Sequence, residues 1–130
     1  MKASDETKMI IFNKLKAHME SMIPPFVVNV GKDPNSFEII GNTPVPYGAS
    51  KKMVPGMYFA SIAMRKDSVV LYFFPCYSFP QIIETIPMLA KCLKGKTCFH
   101  FSKEDQINEK ELSLLLEKGM DLWKKEGYLK

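Results

Sequence analysis

The chain has 130 residues, of which 46% are hydrophobic, 12% aromatic and 25% charged, and its formal net charge is +4. A single domain of this size and composition buries enough apolar surface to fold without a metal or a disulfide, which excludes the disordered and the cysteine-stapled classes. The excess base is spread along the chain and is almost all lysine, with Arg65 the only arginine, so the concentrated basic footprint of a nucleic-acid binder is missing.

The N-terminal MKASDETK is polar, without the apolar core of a signal peptide. The spacing then predicts a helix from about Ser4 to Met22. Ser4 caps it, Asp5 and Glu6 oppose the helix dipole, and Ile11, Leu15, Met19, Met22 and Ile23 share one face. His18 falls on that stripe and reads as a packed residue. Pro24 and Pro25 stop the helix. FVVNV and FEIIG, separated by the turn formers GKDPNS, are expected as two strands of a hairpin.

Asn42 to Gly56, NTPVPYGASKKMVPG, reads as a long loop, and long ordered loops often serve function. MYFASIAM and VVLYFF around RKDS make the clearest hairpin. The second run is apolar at every position, which predicts a central strand with helices on at least one side. In SFPQIIETIPMLAKCL, Ser78 and Gln81 have capping-box spacing, and Ile82, Ile83, Ile86, Leu89 and Leu93 form a helical stripe. Pro87 should kink or split that helix, and Gly95 should close it. KTCFHF is one more strand. The last helix is capped by Asn108, with Glu111 three residues on, buries Leu112, Leu115, Leu116 and Trp123, and ends at Gly127. The expected fold is a single α+β domain over residues 1–130, with a largely antiparallel five-stranded sheet and three helices in the order α-β-β-β-β-α-β-α.

NTPVPYGASKKMVPGMYFASIAMRKDSVVLYFFP, LKGKTCFHF and LLLEKGMDLWKKEGYLK together resemble the bacterial YdhG-like family of uncharacterised domains, over roughly Phe37 to the C-terminus. Some members of that family are labelled iron chaperones or frataxin-like. The resemblance thus implies an α+β fold and a role in intracellular iron handling, and it brings no catalytic residues with it.

The residues offer two candidate sites. Tyr47, Lys51 and Lys52 lie in the long loop, and the strands it enters carry Tyr58, Arg65 and Tyr72. Aromatic rings with a few cations at one sheet edge can hold a small anionic ligand. Cys98 and His100 are alternate residues of a strand, about 6.6 Å apart along one face, where both can reach a metal ion. A structural zinc site needs four ligands, and neither CxxC nor HxxxH completes the set, so the pair reads first as ordinary strand residues. The three cysteines Cys76, Cys92 and Cys98 lack paired spacing and fit reduced thiols of a soluble cytoplasmic protein. No nucleophile motif or phosphate-cradling glycine loop is present. The expectation is therefore a non-enzymatic binding or carrier module for a small molecule or metal, its cofactor unspecified. The alternatives are an interaction module working as a homodimer and, third, a small enzyme without a known motif.

Overall fold

A computed structural model of the chain describes residues 4–23, 25–29, 36–47, 52–95 and 97–129. The helices are α1 (Asp5–Glu20), α2 (Pro75–Ser78), α3 (Pro87–Ala90) and α4 (Glu109–Lys125), with 3-10 turns at Pro80–Thr85 and Glu104–Gln106. The strands are β1 (Val27–Val28), β2 (Ser36–Ile40), β3 (Val45–Tyr47), β4 (Lys52–Val54), β5 (Tyr58–Met64), β6 (Val69–Phe73), β7 (Leu93–Lys94) and β8 (Cys98–Phe101). Six of them form one antiparallel sheet in the order β1-β2-β5-β6-β8-β7, and β3 and β4 pair separately. No helix among the described residues is long and apolar enough to cross a membrane.

The mixed α+β class and the antiparallel sheet agree with the sequence reading, but the element count does not. Among the described residues, eight strands in two sheets replace the expected five, and short helical pieces replace one of the three helices. The predicted helix after β6 is broken by its prolines. Ile86 has φ −133° and ψ 62°, outside the helical region, because the ring of Pro87 crowds the residue before it. Its start is also displaced: the 3-10 turn begins after Phe79, which gives it no side-chain cap, and Ser78 belongs to α2. Gly95, with φ +74°, reverses the chain between β7 and β8 instead of closing a helix. The segment read as a long loop contains the β3–β4 ribbon, which tolerates Pro46 because each of its strands keeps an unpaired edge. Gly41 and Gly56 pinch the base of this ribbon, where a Cβ on Gly56 would lie 1.8 Å from the Gly41 carbonyl oxygen.

The two long helices start as their sequences dictate. Ser4 Oγ accepts from the Thr7 amide at 3.1 Å, and Asn108 Oδ1 accepts from the Glu111 amide at 3.0 Å. α4 ends in a Schellman motif, with the Tyr128 amide donating to the Trp123 carbonyl and the Gly127 amide to that of Lys124. Ile11, Leu15 and Met19 of α1 and Leu112, Leu115, Leu116 and Trp123 of α4 enter one core with Ile39, Ile62, Leu71, Phe73, Phe99 and Phe101 of the sheet.

α4 packs against the sheet at Gly119 without room for a side chain. A Cβ there would lie 2.6 Å from Phe73 Cζ and 2.8 Å from Phe59 Cε1, and both rings are fully buried. Glycine to alanine inside a helix ordinarily stabilises by up to about 1 kcal/mol. Here the buried rings have nowhere to move, and overpacking costs about 1–3 kcal/mol. Urea denaturation of Gly119→Ala should therefore show a lower midpoint than wild type; a higher midpoint would mean the helix does not sit this close.

The helix-free face of the sheet as candidate site

Successive residues of a strand face opposite sides, so the registers sort the sheet into two faces. α1 and α4 cover the face holding Ile39, Ile62, Leu71 and Phe99, and the short helices between β6 and β7 pack against α4. The opposite face carries no helix among the described residues. Its buried members Ile40, Ala63 and Val70 stand outside the main core cluster.

Across this second face the pairings align one row over five strands. Glu38 lies opposite Ser61, Ser61 opposite Tyr72, Tyr72 opposite Cys98, and Cys98 opposite Lys94. A parallel row runs Ser36, Ala63, Val70 and His100. Tyr58 joins the face through a hydrogen bond between its hydroxyl and Ser61 Oγ at 2.6 Å. Arg65 Nη2 donates to the Tyr72 hydroxyl at 2.6 Å, and the guanidinium lies 5.7 Å from the centre of the Tyr72 ring. At the Glu38 end, Asn29 Nδ2 donates to Glu38 Oε2 at 2.5 Å.

Clefts flank the row. The one at the Glu38 end has a volume of about 200 Å³ and includes Ile40, Tyr58 and the Val54–Gly56 base of the ribbon. The one at the Lys94 end has about 410 Å³ and lies between the β5–β6 turn, His100 and the chain entering β7. Burial pushes the Tyr58 hydroxyl up to about 12, so it stays protonated at neutral pH. Desolvation, then Lys94, then Arg65 depress the His100 imidazole below its usual 6.5, so it is neutral at pH 7.

Of the sequence candidates, Tyr58, Arg65, Tyr72, Cys98 and His100 thus converge on one face, which joins the two sites the sequence kept apart. Lys52 does not join them, since it is exposed at the start of β4 in the separate ribbon. Tyr47 ends β3 opposite Lys52, and Lys51 lies outside the described residues. Sequence reasoning missed Glu38, Ser61 and Lys94. The missing signal was cross-strand register: once RKDS is a turn, Ser61 must stand opposite Tyr72.

The donors present do not fit iron. No group of three or more His, Cys, Asp or Glu that could hold a metal occurs among the described residues. Several carboxylates are engaged elsewhere: Asp5 with Lys8 at 3.3 Å, Glu109 with His18 at 3.3 Å and Glu104 with Lys14 at 3.8 Å. One oxygen of Glu111 is engaged too, because Oε1 accepts the Met88 and Leu89 amides at 2.9 Å each. No family model, curated protein or solved structure matches the chain, so the YdhG-like resemblance rests on the quoted residues alone.

Two outcomes follow from the burial of these groups. Cys76 and Cys92 are buried, and burial pushes the Cys76 thiol up to about 12 and raises that of Cys92, whereas Cys98 is half-exposed on the open face. A thiol reagent at pH 8 should label Cys98 alone in the native protein and all three after denaturation, and Cys98→Ala should remove the native signal. Rapid native labelling of Cys76 would contradict this packing. The His100 shift also makes stability depend on pH. The unfolded imidazole takes a proton near the usual 6.5 and the folded one only lower, so the unfolded state binds more protons and stability falls as pH drops below about 6.5. His100→Gln should flatten that slope in denaturation curves between pH 7 and pH 5.

Proposed function

We propose that the protein is a non-enzymatic binding or carrier module whose ligand is a small, partly planar, anionic molecule taken on the helix-free face. One observation supports this above all. Strand register places Tyr58, Tyr72, His100 and Lys94 on a surface that no helix covers among the described residues, and Arg65 joins it through the Tyr72 hydroxyl. Tyrosine rings offer apolar contact with hydroxyls for orientation, and Arg65 beside Tyr72 and Lys94 at the end of the row supply positive charge.

Metal carriage is not adopted, because among the described residues no three His, Cys, Asp or Glu side chains cluster to hold a metal. Nor does the face have the form of a nucleophile and its base. Cys98 Sγ has the Thr97 hydroxyl as its partner, at 3.8 Å, and the nearby His100 is held neutral by desolvation and then by Lys94 and Arg65. The side chains orient and attract; they are not arranged to exchange protons.

Native mass spectrometry of the protein as purified from cells tests the reading. The wild-type chain should carry an organic adduct of small-molecule mass that the double variant Arg65→Ala, Tyr72→Ala has lost. A metal adduct retained by the double variant, or an organic adduct equally abundant in both proteins, would sink the proposal.

A further inference from the structure

We infer that the cleft at the Lys94 end of the open face is a phosphate-monoester site, with the ester group seated among Lys91, Lys94, His100, Ser68, Ser102 and Gln106. This rests on the reading of the face as a ligand surface and names the class of ligand. The cleft of about 410 Å³ falls within the size range of small-molecule sites, roughly 300–1,000 Å³, and exceeds the needs of a bare ion. Its lining is rich in hydrogen-bond donors. Two ammonium groups and two hydroxyls face a single carboxylate, that of Asp67.

Gln106 sharpens the argument. Its Oε1 accepts from the Ser102 amide at 2.8 Å, from the Lys103 amide at 2.9 Å and from the Ser102 hydroxyl at 3.4 Å. These donors fix which end of the amide is oxygen, so the NH₂ end is left to the cleft that Gln106 lines. His100 is bracketed by Lys94 and Arg65 and keeps its imidazole neutral, and an incoming dianion is the partner that would let it accept a proton. The facing charged or titratable groups are Asp67 from the β5–β6 turn, Arg65 at the end of β5, Lys91 and Cys92 before β7, and Lys94 within it.

Donor count selects the class. A carboxylate has two oxygens, whereas a phosphate monoester presents three terminal oxygens and close to two negative charges at neutral pH. Two lysines, the Ser68 hydroxyl, a glutamine amide and an imidazole match the latter. Arg65 and Tyr72 adjoin His100 on the face, where the organic part of the ester would lie.

The test is an NMR titration of the intact protein with inorganic phosphate and with phenyl phosphate, at constant ionic strength held by chloride. Saturable shifts at Ser68, His100, Ser102 and Gln106 are expected, with the His100 titration midpoint moving upward. Lys91→Gln with Lys94→Gln, both exposed and so harmless to folding, should weaken binding at least about tenfold, since each charge-assisted contact is worth that much. Shifts that never saturate, that chloride reproduces, or that the lysine variants leave unchanged would overturn the site. Failure of this site and failure of the face are distinguishable. Silence towards both phosphates with an organic adduct still sensitive to Arg65 and Tyr72 overturns only the cleft. Phosphate binding with no such adduct overturns the wider reading of the face and leaves the cleft.

Discussion

The sheet's two faces depend on one irregularity, the shift of register between β2 and β5. Ile39 pairs with Ala60 but Ile40 pairs with Tyr58, so Phe59 is an extra residue on its strand. In a regular strand Phe59 would lie on the face opposite Ala60, and Tyr58 would point into the core. The bulge turns Phe59 inward, where its ring meets Phe26 at 4.1 Å, Phe73 at 5.2 Å and Trp123 at 5.6 Å. A disrupted ladder hydrogen bond costs on the order of 1 kcal/mol, while removing a buried phenylalanine ring costs about 3–5 kcal/mol. Packing wins, and the same turn of the chain delivers Tyr58 to Ser61 on the open face.

Side chains from the helical layer then hold the walls of the larger cleft. Lys8 of α1 is only 7% exposed, and its ammonium donates to the carbonyls of Arg65 and Lys66 at 3.0 Å each while Asp5 lies at 3.3 Å. A buried ammonium is costly unless its donors are satisfied, and here three acceptors satisfy it. The β5–β6 turn with Arg65, Asp67 and Ser68 is thereby tied to the helix behind it. The opposite wall is fixed by Glu111. Its carboxylate accepts the Met88 and Leu89 amides, giving the single-turn α3 the N-terminal cap that Ile86 does not supply. α3 leads directly into Lys91, Cys92 and β7.

What was legible in the sequence follows from how local each signal is. Caps at Ser4 and Asn108, the turn at Arg65–Ser68 and the burial of β6 are written within a few residues, and the structure has all of them. The broken helix was half legible, because Pro87 announced the break while nothing local announced that Leu93 would turn back along β8. The bulge was illegible, since it is decided by what Phe59 can reach across the core. For the same reason Tyr58, Tyr72, Cys98 and His100 were each noticed, but their meeting on one face needed the registers of three strands. Glu111 reads as the residue three after the Asn108 cap and Lys8 is not singled out, and their bonds to distant backbone are tertiary facts.

The chemistry of the face is that of fixed charge. Tyr58 is held protonated to about 12 and His100 is held neutral at pH 7, so neither changes charge around neutral pH. A general acid or base works best with its proton affinity near the working pH; burial has raised that of Tyr58, while desolvation and the Lys94 and Arg65 cations have lowered that of His100. Lys94 stands at one end of the row and Glu38 at the other, with Arg65 bonded to Tyr72 between them. On the proposed reading, one orientation of an anionic molecule would be favoured over the reverse, because reversal would bring its charge to Glu38. The arrangement of the face resides in the register of the sheet, which is set in turn by the one extra residue that lets Phe59 reach the core.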